Sequence, residues 1–133
     1  MITVILISSA AWFITAAILF FNPIVDKIYG SQEAFPGVKA LPKVPATVGK
    51  IMLAIVIQCV LWATIFKWIK DALPETLLEK TLAFGTVILV MKMIPRDIDR
   101  LLLTTYPIKR MTIEFIIGGI CAYVVAFVFA FFI

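Results

Sequence analysis

The stretch Phe115–Ile133 reads FIIGGICAYVVAFVFAFFI and contains no charged residue. A helix needs roughly 20 apolar residues to cross a bilayer core of about 30 Å, and this stretch meets that length. Ile2–Phe21 is also free of charge and meets it as well. Two further apolar stretches, Ile51–Phe66 and Thr81–Ile94, approach it. The sequence therefore predicts an all-α integral membrane protein, a four-helix transmembrane bundle.

Composition supports a membrane environment. The chain has 133 residues, of which 63% are hydrophobic and 15% charged, and its mean hydropathy is +1.11. A soluble domain carries roughly 45–50% apolar and about 25% charged residues, and a small domain has too much surface to hide this excess from water. We predict a single transmembrane domain covering residues 1–133, with spans at about 2–21, 47–68, 77–94 and 112–133.

Basic residues are distributed unevenly between the predicted loops. Loops 22–50 and 92–114 together hold nine Lys and Arg residues, whereas loop 67–80 holds three. With four spans, the first and third loops share one side of the membrane. The bias of basic loops toward the cytoplasm predicts that this side is cytoplasmic. We therefore expect a multi-pass protein of the cell (inner) membrane with both termini outside the cytoplasm.

Residue usage argues against several chemistries. The chain has no histidine, which is the commonest metal ligand and the commonest acid–base group near neutral pH. Its two cysteines, Cys59 and Cys121, both lie inside apolar stretches, as small buried hydrophobes do. No catalytic motif stands out, so the sequence favours a non-enzymatic protein without catalytic residues, a metal site or a cofactor. A nucleic-acid partner is not expected, because the chain has no soluble basic module.

A charged segment precedes the last span. Between Pro95 and Pro107, which we expect to end the third span and this segment respectively, Ile98, Leu101 and Leu102 recur at helical spacing beside charges. This pattern predicts a short amphipathic helix in the inner interface. We expect the charges around it to form a candidate site for a ligand or lipid headgroup, made of Arg96, Asp97, Asp99, Arg100, Lys109, Arg110 and Glu114.

Glu114 has two interpretations. It lies just before the charge-free run, and an ionisable group buried at membrane depth is costly unless it is paired or functional. Alternatively, it is an acidic residue in the first helical turn, stabilised by the helix dipole and by Arg110 at the i−4 position.

Two features of the spans concern packing. Small residues at every fourth position let helix backbones approach closely in lipid, either within the bundle or against another copy or partner. The last span has such a stripe at Gly118, Ala122, Ala126 and Ala130. Gln58 is an intramembrane polar residue in the second span. We expect it to hydrogen-bond to a backbone carbonyl or to one of Ser8, Ser9 and Thr86.

Two stretches carry a family resemblance. Trp12–Pro23 is an aromatic-rich helix that ends in a polar residue and a proline, and Tyr106–Ile133 is a Tyr-Pro-Ile-Lys sequence leading into a glycine-containing last helix. In these features the chain resembles a family of small four-span bacterial membrane proteins described only as domains of unknown function. The resemblance implies the four-span fold and contributes nothing about activity.

Three functions fit the pattern. The first is a non-enzymatic accessory subunit, or a homo-oligomeric component held together by the small-residue stripe. The second is a small transporter or channel with its pathway at a subunit interface. The third is a lipid-binding or lipid-modifying protein that uses the charged inner-face cluster. The expected partners are membrane lipids, anionic on the inner face, and either a second copy or a partner membrane protein.

Overall fold

The computed structural model describes residues 1–32, 34, 38 and 44–133, and every regular element in these ranges is a helix. The all-α prediction is therefore confirmed for the described residues. Part of the first predicted loop, including Lys39 and Lys43, falls outside them. The helices are α1 (Ile2–Phe20), α2 (Pro23–Ser31), α3 (Pro45–Ile69), α4 (Leu77–Ile88), α5 (Ile94–Leu103) and α6 (Ile108–Phe132). A 3₁₀ turn (Lys70–Ala72) follows α3, and a π turn (Leu89–Met93) joins α4 to α5.

Three helical segments in the described part of the chain are long and apolar enough to cross a membrane. They are Ile2–Phe20, Pro45–Ala72 and Ile108–Phe132. Helices of this length and composition are expected in a membrane protein. The third predicted span differs from them, because α4 has 12 residues and the π turn adds only five.

The π turn changes the role of Pro95. We expected this proline to end the third span, and that prediction is wrong, because the helical path continues from Leu77 to Leu103. Pro95 lies in the first turn of α5, directly after the π turn, a position in a helix where proline is tolerated. The π turn widens the helix immediately before it. The amphipathic helix predicted before the last span is present as α5.

Helices α1, α3, α4 and α6 alternate in direction along the chain. Helix α6 packs against both α1 and α4, and α3 packs against α1. Near one end, Val4, Phe66, Phe84 and Phe129 belong to one buried apolar cluster. The Phe66 and Phe84 ring centroids lie 4.8 Å apart, and those of Phe84 and Phe129 lie 6.1 Å apart. The opposite end, where α1 ends and α6 begins, holds a group of polar side chains around Glu114.

The small-residue stripe of α6 packs inside the chain. Ala122 is 3% exposed and Ala126 is 0% exposed. A Cβ atom added at Gly118 would lie 2.5 Å from Cε of Met93, and one added at Gly85 of α4 would overlap the ring of Tyr123. The stripe therefore serves contacts within one chain and gives no separate reason to expect a second copy.

Gln58 does not form the bond that we expected. It is half-buried on α3, and no hydrogen bond joins its side chain to another residue in the described ranges. Ser8 donates to the carbonyl of Ile5, and Thr86 shares a 2.9 Å hydrogen bond with the hydroxyl of Tyr123. The Ser9 hydroxyl is buried without a partner.

Candidate functional site

Glu114 is the centre of a polar cluster at the end where α1 ends and α6 begins. Its Oε1 accepts hydrogen bonds from the Tyr29 hydroxyl, at 2.7 Å, and from the Tyr106 hydroxyl. Its Oε2 accepts from Nη1 of Arg100 at 2.5 Å. Nε of Arg110 lies 3.8 Å from Oε1. We call these five residues the Glu114 cluster, and they join α2, α5, the α5–α6 loop and α6.

Local sequence explains how each member is presented. Arg110 and Glu114 lie four residues apart on α6, so they share one face of the helix. Tyr106 precedes Pro107, and a residue before proline is held away from helical geometry. Tyr29 lies near the end of α2, a helix that begins at Pro23, where the Asn22 side chain accepts a 3.0 Å hydrogen bond from N of Ile24.

The two arginines of the cluster also stack on its two tyrosines. The Arg110 guanidinium lies 3.6 Å from the centroid of the Tyr29 ring, and its Nη1 donates to the Tyr29 carbonyl at 3.2 Å. Its Nε donates to the Tyr106 hydroxyl at 3.2 Å. The Arg100 guanidinium lies 4.2 Å from the centroid of the Tyr106 ring. Such cation–π contacts gain strength when water is excluded, and Arg110 is only 8% exposed.

The tyrosines act as hydrogen-bond donors to Glu114. Burial first, and then the hydrogen bond to Glu114, raises the pKa of Tyr29 well above its ordinary value. The same two causes, in the same order, raise the pKa of Tyr106. Both hydroxyls therefore stay protonated at neutral pH. Three donors bind the oxygens of Glu114, two at Oε1 and one at Oε2. The described residues contain no group of three His, Cys, Asp or Glu side chains that could hold a metal ion.

The predicted site residues divide into three groups. Arg100, Arg110 and Glu114 lie together in the cluster. Arg96 and Asp97 lie beside it, with Nε of Arg96 2.9 Å from Oδ1 of Asp97, and Nη1 of Arg100 4.0 Å from the same oxygen. The structure leaves two predicted members exposed and outside the cluster, Asp99 and Lys109.

The interpretation of Glu114 as a first-turn residue is wrong. Helix α6 begins at Ile108, so Glu114 lies beyond the first turn.

A cleft of about 300 Å³ adjoins the cluster, between α1, the π turn, α5 and α6. Nζ of Lys92 lies 4.1 Å from the centroid of the Trp12 ring and forms no ion pair within the described residues. Nη2 of Arg96 is buried without a hydrogen-bond partner. The polar and aromatic residues of its lining include Trp12, Lys92, Arg96, Arg100, Glu114 and Cys121.

Sequence reasoning did not include Tyr29 or Tyr106 in the site, and it placed Lys92 only among the basic residues expected on the cytoplasmic face. One signal could have indicated the tyrosines: a carboxylate at the membrane boundary needs donors, and both tyrosines lie in loops predicted to share its side. No family model, curated protein or solved structure matches the chain. The chemistry of the site is therefore inferred from its own residues.

Proposed function

We propose that the chain is a four-span, non-enzymatic component of the cell membrane that binds an anionic lipid headgroup in the cleft. The observation that carries this proposal is the lining of the cleft, where Lys92, Arg96 and Arg100 face a single carboxylate, Glu114. Basic side chains at the cytoplasmic surface attract anionic lipid. Because two tyrosine hydroxyls and Arg100 already donate to Glu114, we propose lipid binding and not lipid modification.

The alternating direction of the helices supports four spans. For this arrangement, α4 and the π turn must cross together as the third span. Seventeen helical residues at 1.5 Å each reach about 26 Å, slightly less than the bilayer core of about 30 Å. A mismatch of this size is absorbed by local thinning of the bilayer and by flanking charged residues that reach its surface. At the start of α4, N of Glu79 donates to the Thr76 hydroxyl at 3.3 Å, which caps the helix.

The distribution of basic residues supports an orientation with the Glu114 cluster on the cytoplasmic side. We expect Glu75→Cys to react with a membrane-impermeant thiol reagent on intact cells, and Ser31→Cys to react only after permeabilisation. Both positions are exposed. The wild-type protein is the control, since its own cysteines, Cys59 and Cys121, are buried. Labelling of Ser31→Cys on intact cells would contradict this topology.

Lipid binding is tested by native mass spectrometry of the protein released from nanodiscs with equal amounts of phosphatidylglycerol and phosphatidylcholine. We expect the wild type to retain phosphatidylglycerol preferentially. Arg96→Met should reduce this retention about fivefold, because one basic side chain near an anionic headgroup is worth about 1 kcal/mol. Lys67→Met is the matched control, because Lys67 is exposed at the far end of α3. Equal retention of the two lipids by the wild type would refute the proposal.

A further inference from the structure

Lys92 lies at one end of the cleft, beside Trp12. It projects from the π turn toward Trp12, and Cys121 lines the cleft at the same end. Glu114 marks the other end, seven residues earlier on α6, which corresponds to a distance of roughly 10 Å along the helix. Ionisable groups inside membrane-spanning segments indicate functional sites, and π turns inserted in helices are frequent at such sites.

The cleft contains two donors that the protein itself does not use. Lys92 contacts the face of Trp12 and pairs with no carboxylate in the part of the chain that the structure describes. Arg96 lines the cleft and commits Nε to Asp97, which does not line it. Nη2 of Arg96 and Oδ2 of Asp97 are both buried without a hydrogen-bond partner. Arg100 is already bound to Glu114. Lys92 and Arg96 therefore offer the donors available to a bound anion.

We propose that this anion is a phosphomonoester and that Lys92 distinguishes it from a phosphodiester. The inference rests on the proposed function and names the ligand chemistry of the same cleft. A phosphomonoester carries a charge of about −1.5 to −2 at pH 7 and three acceptor oxygens, whereas a phosphodiester carries a single negative charge. Three arginines, Arg96, Arg100 and Arg110, set against two carboxylates, Asp97 and Glu114, leave one positive charge in excess, which matches a diester. Lys92 supplies the second charge that a monoester requires.

The test compares phosphatidic acid with phosphatidylglycerol, in nanodiscs that contain equal amounts of both and phosphatidylcholine. We expect the wild type to retain phosphatidic acid about tenfold more than phosphatidylglycerol, as one further charge-assisted hydrogen bond would give. Lys92→Met should bring this ratio close to one. Lys92→Arg keeps the charge and should keep the preference, and Lys67→Met is the control for loss of a lysine elsewhere. Thermal unfolding of each sample shows that the variant is folded.

The outcomes separate this inference from the proposed function. A ratio near one in the wild type, or a ratio that Lys92→Met leaves unchanged, overturns the role of Lys92. The proposed function survives that result if phosphatidylglycerol is still retained over phosphatidylcholine and the retention depends on Arg96. If neither anionic lipid is retained over phosphatidylcholine, both proposals fail.

A titration with inorganic phosphate tests whether the phosphomonoester belongs to a membrane lipid or to a soluble compound. Phosphate is added to wild-type protein that holds phosphatidic acid. Failure of phosphate to displace the lipid supports a membrane lipid as the ligand. Displacement that is lost in Lys92→Met supports a soluble phosphate compound that enters the same site. Displacement that persists in Lys92→Met counts against Lys92 as the residue that binds the phosphate group.

Discussion

Glu114→Gln is expected to lower the free energy of unfolding by on the order of 2–3 kcal/mol. Gln keeps an oxygen that accepts from Tyr29 and Tyr106, but it removes the negative charge between Arg100 and Arg110. Breaking a fully buried ion pair by removing one partner costs about 3–5 kcal/mol. The loss here is smaller, because the pair is only partly buried: the Arg100 side chain is 27% exposed and that of Arg110 is 10% exposed.

Chemical denaturation in mild detergent measures this effect. Glu75→Gln is the matched control, because Glu75 is exposed and surface substitutions usually change stability by less than about 0.5 kcal/mol. A double-mutant cycle with Arg100→Met should show coupling between the two sites, since contacting residues are not additive. A loss below about 1 kcal/mol for Glu114→Gln would be no larger than a helix-dipole effect, and the cluster would then contribute little to stability.

The hydrophobic pattern predicts the long helices well, because lipid allows only backbones whose polar groups are paired internally. The last span was predicted from about residue 112, and helix α6 begins four residues before that limit, at Ile108. A helix start inferred from polarity assumes that charged side chains lie outside the helix. Here Arg110 is inside it, and its charge is satisfied by Glu114 and by groups of Tyr29 and Tyr106.

The candidate site was predictable only where its members are close in sequence. Arg110 and Glu114 follow from i,i+4 spacing, and Arg100 from the charged segment before α6. Tyr29 lies 85 residues away from Glu114, so no local pattern relates the two. Lys92 was assigned to the membrane boundary because Pro95 was expected to end the helix. The π turn that brings Lys92 into the cleft cannot be recognised in a hydrophobic pattern.

Ala126→Leu is expected to destabilise the bundle by about 1–3 kcal/mol, the usual cost of overpacking a core. Ala126 is 0% exposed and belongs to the apolar cluster that contains Phe84 and Phe129. Protein interiors are close-packed, so three added carbons find no free volume. Helices α4 and α6 approach closely beside this position, where the ring of Tyr123 occupies the space above Gly85. The larger side chain must therefore push the helices apart.

Ala54→Leu is the matched control for Ala126→Leu, because Ala54 is exposed on the apolar helix α3 and faces lipid if α3 spans the membrane. We expect its free energy of unfolding to stay within about 0.5 kcal/mol of the wild type. Light scattering in detergent supplies the second measurement. Since the stripe packs within one chain, Ala126→Leu should lower stability without changing the number of copies in the particle. Unchanged stability together with a smaller particle would instead mean that the Ala126 face packs against a second copy.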